Sequence, residues 1–268
     1  MPASAPTVRT VAERLSPGDV PLWVQPEWAE RFPWLVQGTT GRGGGAEPFD
    51  LGLAGVQPVG AALDRWRRLL ALVDLHAGVH ARQVHGADLW IHREVAAPGI
   101  LVMDGVDGHV TDRPGLMLSV GVADCTPVSV VDPHARVAAL VHAGWRGTAG
   151  GIVERAIHRL VESWRSAPDG LWLHCGPAIC GACYEVGPEV HAAVHSDRPA
   201  PSANTPIDVR AAIVERALGW GIPAEQVSVS AHCTRCGPPD FFSHRGGDQA
   251  RQMGVLGIHP PTRRMNDA

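Results

Sequence analysis

Short apolar runs rich in β-branched residues recur along the chain, and each is typical of a buried β-strand. Amphipathic segments with helical spacing lie between them. The predicted strands cover residues 34–40, 79–84, 89–92, 128–131, 137–141, 171–175, 227–231 and 253–258, with another beginning at Leu116. The predicted helices cover residues 61–73, 152–166, 188–195 and 208–218. Because some strands look hairpin-linked, the order favours an α+β fold with mixed sheets over a purely parallel sheet.

The stretch from Leu116 to Arg159 holds the most informative pattern. Two apolar strands flank Asp132–Ala135, an Asp-Pro turn signal. A four-residue turn there pairs Val131 with Arg136 and puts Cys125 opposite His142, with Cβ atoms roughly 5 Å apart. Such a pair suits two ligands of one metal ion, or a thiolate and an imidazole. Pro127 cannot donate to a sheet ladder, so the pairing must loosen near it.

The nine residues after His142 are rich in glycine and lead into an amphipathic helix from Ile152. A glycine-rich turn before a helix presents free N–H groups and the positive end of the helix dipole, which together favour an anion. Arg146 adds a cationic fork that suits phosphate or carboxylate. The alternative is that these glycines only allow close packing of the helix on the sheet.

His85, at the end of an apolar strand, is the strongest candidate for a third group beside Cys125 and His142. One cysteine and two histidines with an open position form a catalytic zinc arrangement. A lone histidine at a strand end can equally be structural. Two C-x₂-C pairs, Cys180–Cys183 and Cys233–Cys236, leave a structural Zn²⁺ with four cysteines as an option, although their separation is longer than compact zinc ribbons use.

Composition excludes several classes of protein. The net charge of −4 indicates no broad basic surface for nucleic acid, and the apolar runs are too short to span a membrane. Without an apolar leader we expect a cytoplasmic protein whose six cysteines are reduced thiols or ligands. We expect a flexible N-terminal arm over residues 1–20, a catalytic domain over residues 21–260 and a C-terminal tail over residues 261–268.

Six motifs then occur in order between about Trp34 and Ile258. They are Gln83–Gly86, Ala123–Pro127, His142–Gly147, Gly176–Ile179 with Cys183–Gly187, Cys233-Thr234 and Phe242–Arg245. Together they resemble the YfiH or laccase-domain family, which is also labelled polyphenol oxidase or peptidoglycan editing factor.

The resemblance implies one layered α/β/β/α domain with mixed sheets, in which His85, Cys125 and His142 bind zinc, with Cu²⁺ as the alternative ion. It implies phosphorolysis of adenosine, inosine or methylthioadenosine to the free base and ribose 1-phosphate, and adenosine deamination. Its partners would be purine nucleosides and phosphate. Asp107 matches an acidic position that could orient substrate or a ligand histidine, and Arg146 is our candidate for phosphate.

Three departures and three alternatives remain. Asp50 stands where the family usually has asparagine, Asp64 replaces another asparagine, and Gly246-Gly247 interrupts a basic run. In one alternative, His142 activates Cys125 as the nucleophile of an amidase acting on peptidoglycan precursors. The others are a copper-dependent polyphenol oxidase, although the sequence contains no H-x-H pair, and a metal-bearing binding protein without enzymatic activity.

Overall fold

The computed structural model describes residues 7–45, 47–55, 57–95 and 97–261. Within these ranges there are six α-helices and sixteen strands. The helices are α1 Pro26–Arg31, α2 Val59–Leu72, α3 Trp145–Ala149, α4 Ile152–Trp164, α5 Pro188–Val194 and α6 Val209–Gly219. The strands are β1 Arg9–Val11, β2 Arg14–Leu15, β3 Leu22–Val24, β4 Leu35–Thr40, β5 Ala77–Arg82, β6 Leu89–His92, β7 Gly99–Asp104, β8 Gly108–Thr111, β9 Leu116–Val122, β10 Thr126–Asp132, β11 Val137–Ala143, β12 Trp172–Cys175, β13 Glu185–Val186, β14 Thr205–Pro206, β15 Val227–Ser230 and β16 Gln252–Ile258.

Two seven-stranded sheets carry most of the described strands. The first sheet has the order β1-β15-β12-β10-β11-β8-β6 and the second has the order β2-β3-β4-β16-β9-β5-β7. Both are mixed: in the first sheet β10 and β11 are antiparallel while β12 and β15 are parallel. A separate ribbon pairs β13 with β14. The predicted α+β class with mixed sheets is therefore confirmed.

Alternation of side chains along the strands separates the layers. Leu140 of the first sheet and Leu118 of the second lie in a shared core between the sheets. On the outer face of the first sheet, Val141 packs with residues of α4 and α6. On the outer face of the second sheet, Met117 packs with Trp66 of α2. The result is the α/β/β/α layering that the resemblance implied. In the described part of the chain, no helix has both the length and the apolar character needed to cross a bilayer.

The β10–β11 hairpin forms as predicted, but its register differs by two residues. Val131 pairs with Ala138 rather than Arg136, and Pro127 rather than Cys125 lies opposite His142. The cause is Asp132, which stays in the strand while its carboxylate accepts the backbone N–H groups of His134 and Ala135 at 2.8 and 3.1 Å. A two-residue shift keeps every side chain on its predicted face.

Pro127 is accommodated without breaking the hairpin. The N–H of His142 points away from β10 and donates to the carbonyl of Asp107 at 2.7 Å, so it requires nothing from Pro127. On its other side Pro127 only accepts, from the N–H of Gly176 at 2.9 Å. The missing donor therefore falls at the end of β12, where the ladder already stops.

Three other local predictions are corrected. Residues 108–111, which lie outside the predicted strands, form β8, and the glycine-rich connection after His142 contains the short helix α3. Residues 1–6 and 262–268 lie outside the described residues. From residue 7 onward the expected arm is built into the fold, because β1 pairs with β15 and buried Glu13 contacts His174 and Ser230 at 3.0 and 2.8 Å. Its Pro- and Ser-rich composition concealed two short strands.

Candidate active site

His85, Cys125 and His142 meet where the chain crosses from one sheet to the other. His85 follows β5 of the second sheet, Cys125 lies between β9 and β10, and His142 is in β11 of the first sheet. Their ligand atoms all lie within 4.8 Å of one another. The two imidazole rings are nearly perpendicular, at 81°, with centroids 4.8 Å apart. The structure thus brings together the three residues that the sequence predicted as a set.

The backbone around these side chains is unusual in ways that bring them close. His85 has φ of 59° and Asp124, directly before Cys125, has φ of 85°, a region that few residues other than glycine adopt. Gly144 leaves room beside the thiol, since a Cβ there would lie 2.9 Å from Cys125 Sγ and 3.6 Å from His85 Cδ2. Strained positions of this kind concentrate at functional sites.

Asp107 connects the two histidines. Its carboxylate is fully buried and lies 2.8 Å from Nδ1 of His142. It also accepts the backbone N–H groups of Val84, His85 and Gly86 at 3.1, 2.9 and 2.8 Å. Because Asp107 occupies Nδ1, Nε2 is the nitrogen of His142 that can face Cys125 or a metal ion, as in a carboxylate–histidine–metal triad. Of the two predicted roles for Asp107, the structure shows the contact with a histidine, His142.

Charges within this group shift each other's titration. Burial alone would raise the pKa of Cys125, but the charges and hydrogen bonds of His142 and His85 outweigh it and lower the pKa to about 6. Burial would lower the pKa of His142, yet the Cys125 thiolate and the Asp107 carboxylate raise it to about 9. Hydrogen bonds from His142 and the N–H of Gly86 outweigh burial and lower the pKa of Asp107. The thiol is thus set up as a thiolate.

A cavity of about 580 Å³ opens in front of the three residues. His85, Cys125 and His142 line part of it, and Gln83, Gly121 and Met253 line its second-sheet side. Its remaining polar wall consists of Asp50, His80, Arg82, His244, Gln249 and Arg251. The volume is in the range of small-molecule sites. Arg82 is ion-paired with Asp104, whereas Nη1 of Arg251 donates to the carbonyls of Gln249 and Ala250, both at 2.9 Å.

Arg146 does not line this cavity. Its side chain is exposed and its guanidinium lies 4.4 Å from the centre of the Trp145 ring. Arg251 and His80 were not predicted as site residues, because neither lies in a motif that points to this cavity. They reach it through the pairing of β16 and β5 with β9. His244 lies in the Ser-His-Arg motif, so that motif could have indicated it.

Two groups of described side chains could hold a metal ion: the three residues above, and Cys180, Cys183, Cys233 and Cys236. The first group fits a transition metal by its chemistry, because imidazole and thiolate are the donors that Zn²⁺ and copper prefer. Asp107 also fixes the orientation of the His142 ring before any ion binds. Three protein donors leave a coordination position for a small molecule.

The chain is similar to a known protein family and to curated enzymes that act on purine nucleosides. A family model described as multi-copper polyphenol oxidoreductase laccase matches residues 39–259. Purine nucleoside phosphorylase YlmD of Geobacillus stearothermophilus is 34% identical over 202 residues, which cover 68% of this chain and 73% of that protein. Adenosine deaminase RL5 of an unknown prokaryotic organism is 35% identical over 162 residues, which cover 57% of this chain and 59% of that protein.

The fold is shared with solved structures. The crystal structure of YlmD from Geobacillus stearothermophilus matches with a TM-score of 0.83 and 27% identity, covering 93% of this chain and 100% of that one. The YfiH protein of Bacillus licheniformis matches with a TM-score of 0.81 and 25% identity, covering 92% and 98% of the two chains. The likeness includes both sheets, since it spans nearly the whole chain.

Proposed function

The chain belongs to the laccase-domain family, also called YfiH, and from that membership we propose that it is a zinc-dependent purine nucleoside phosphorylase. Its substrates are adenosine, inosine or methylthioadenosine together with phosphate, and its products are the free base and ribose 1-phosphate. The named activity of YlmD, which is 34% identical, supports the reaction class.

One observation carries this proposal: Asp107 orients His142 toward Cys125 and His85 at the wall of a cavity of about 580 Å³. A nucleoside fits a cavity of that size. His85, Cys125 and His142 would hold the zinc ion, which when bound supplies Lewis acidity at the wall of the cavity. The chain's own residues bind and orient the substrate around it.

Phosphorolysis also needs a cation to hold phosphate beside the sugar. Arg251 is suited to this, because it lines the cavity and its Nη1 donates to two neutral carbonyls and to no carboxylate among the described residues. Its remaining N–H groups keep the planar fork that binds phosphate oxygens. His244 and Arg82, in the same wall, add positive character. We therefore assign phosphate to Arg251 in preference to the sequence-based candidate Arg146, whose side chain is exposed over Trp145.

A pair of matched variants decides between the two arginines. Arg251→Gln is expected to raise the KM for phosphate by about 10-fold or more, since one charge-assisted hydrogen bond contributes about 1.5–3 kcal/mol. Arg146→Gln is expected to change it by less than about threefold. Initial rates of inosine phosphorolysis at varied phosphate measure both. If Arg146→Gln has the larger effect on the KM for phosphate, the phosphate site is at Arg146 and the start of α4.

Adenosine deamination is a second candidate activity of the same cavity. The name of RL5, which is 35% identical over part of the chain, favours it. Deamination needs an activated water but no phosphate. An assay with and without phosphate therefore distinguishes the two reactions.

The experiment that tests the proposal combines metal analysis with product detection. Purified protein is incubated with inosine or with adenosine, in buffer with and without phosphate, and the purines are separated by chromatography. Hypoxanthine that appears from inosine only with phosphate supports phosphorolysis, and inosine formed from adenosine without phosphate supports deamination. A protein with a full metal complement that converts neither nucleoside would contradict the proposal.

A further inference from the structure

Four cysteines outside the cavity form a second cluster. Cys180 and Cys183 follow β12, and Cys233 and Cys236 follow β15. These two strands are parallel neighbours, so their carboxyl ends meet at the same edge of the first sheet. A parallel bridge between Ala178 and Cys233 extends the contact into the two loops. Parallel pairing thus joins two C-x₂-C turns that are far apart in sequence.

The sulfur positions match a tetrahedral metal site. All four Sγ atoms lie within 4.8 Å of one another, and those of Cys180 and Cys236 are 3.8 Å apart. A zinc ion with Zn–S bonds of about 2.3 Å spaces its ligand sulfurs by about 3.8 Å. A disulfide would require about 2.05 Å. The spacing therefore fits four separate ligands around one ion.

Backbone donors around Cys233 favour a charged sulfur. Its Sγ is approached by the N–H groups of Cys180, Arg235 and Cys236 at 3.3, 3.4 and 3.5 Å. The second turn is closed by the N–H of Gly237, which donates to the carbonyl of Cys233 at 3.1 Å. Gly237 is required there, because a Cβ would lie 2.5 Å from that carbonyl oxygen. Tight turns with N–H groups aimed at sulfur stabilise thiolate ligands.

We propose that Cys180, Cys183, Cys233 and Cys236 bind one structural Zn²⁺. Four thiolates complete the tetrahedron, so this site leaves no position for substrate and performs no chemistry. It clamps the loops that follow β12 and β15. Those loops also reach the active site: the N–H of Ile179 donates to the carbonyl of Asp124 at 3.0 Å, and the hydroxyl of Thr234 donates to its carboxylate at 2.6 Å.

Metal content per chain tests the inference. After dialysis against a weak chelator, the wild-type chain is expected to retain about two zinc ions and Cys236→Ala about one, because three thiolates hold zinc less well than four. Cys175→Ala is the matched control, since Cys175 is a buried cysteine outside both groups. We expect it to retain the wild-type metal content. Cys236 is the exposed member of the cluster, so its loss disturbs the core least.

A second measurement needs no variant. Titrating the wild-type chain with an organomercurial is expected to release one zinc ion in step with the modification of four thiols, and the proposed ion at His85, Cys125 and His142 in step with a single thiol, Cys125. Three results would each overturn the inference. They are an unchanged zinc content in Cys236→Ala, iron in place of zinc, and a disulfide between these cysteines found by mass spectrometry. The inference does not rest on the proposed function. The two sites can be tested separately. If the wild-type chain binds one zinc ion, which Cys236→Ala loses and Cys125→Ala retains, the four-cysteine site is supported. The proposed zinc site at His85, Cys125 and His142 is then contradicted.

Discussion

Cys125→Ala is expected to lower kcat/KM for nucleoside turnover on the order of 10³-fold or more and to remove the zinc at His85 and His142. The proposed ion provides several kcal/mol of transition-state stabilisation, and each 1.36 kcal/mol corresponds to about tenfold in rate. Two imidazoles alone would bind zinc too weakly to retain it. Steady-state rates with inosine and adenosine, measured beside metal content, give both effects on one preparation.

His80→Gln is the matched control for metal content. His80 lines the same cavity but lies outside the three-residue group, with Nδ1 3.3 Å from the hydroxyl of Ser119. It should retain the metal that Cys125→Ala loses. If wild-type activity survives complete metal removal while Cys125→Ala abolishes it, Cys125 acts as a nucleophile. That outcome would overturn the proposed zinc dependence of nucleoside turnover.

Asp107→Asn is expected to lower metal affinity and activity by about 10- to 100-fold, the usual effect of removing the carboxylate that orients a ligand histidine. It should also lower the free energy of unfolding by about 3 kcal/mol. Each carboxylate oxygen of Asp107 has two partners. Oδ1 contacts Nδ1 of His142 and accepts the N–H of His85, and Oδ2 accepts the N–H groups of Val84 and Gly86. In asparagine one of these oxygens is replaced by an NH₂ group, which is itself a donor. At either position it would face N–H groups and could not accept their hydrogen bonds.

The same substitution at Asp104 separates this effect from loss of charge. Asp104 lies three residues earlier and pairs with Arg82 at the surface, where both side chains are well exposed. We expect Asp104→Asn to leave denaturant unfolding and metal titration unchanged. Equal effects of the two substitutions would show that Asp107 contributes only to net charge. Isothermal titration with Zn²⁺ after chelation measures the affinity.

The sequence predicted which three residues come together better than it predicted the geometry that joins them. Short apolar runs rich in β-branched residues correctly indicated β10, β11 and the hairpin, because side-chain burial dominates strand choice. The register was wrong by two residues, because the side chain of Asp132 caps the turn while its backbone stays paired. Cys125 and His142 still meet, since a shift of two preserves the face. Their function as ligands stays a prediction.

Contacts between distant strands could not be predicted from one sequence. Arg251 enters the cavity because β16 pairs with β9, and the four cysteines meet because β12 pairs with β15. Neither pairing has a local signal, as the partners are separated by whole helices. Arg146 illustrates the converse: its glycine-rich surroundings suggested an anion site, but α3 forms there and its side chain points to solvent over Trp145.

The network around Asp107 has a consequence for how the protein would acquire the proposed metal ion. His142 and the 84–86 turn are held by one buried carboxylate through protein contacts alone. A ligand set assembled by the fold itself can exchange ions after folding is complete. Its occupant then follows the supply of metal in the cell or the growth medium, and Cu²⁺ binds such donors more strongly than Zn²⁺. Copper found in protein from copper-rich cultures would record that supply, whereas activity after exchange identifies the ion that works.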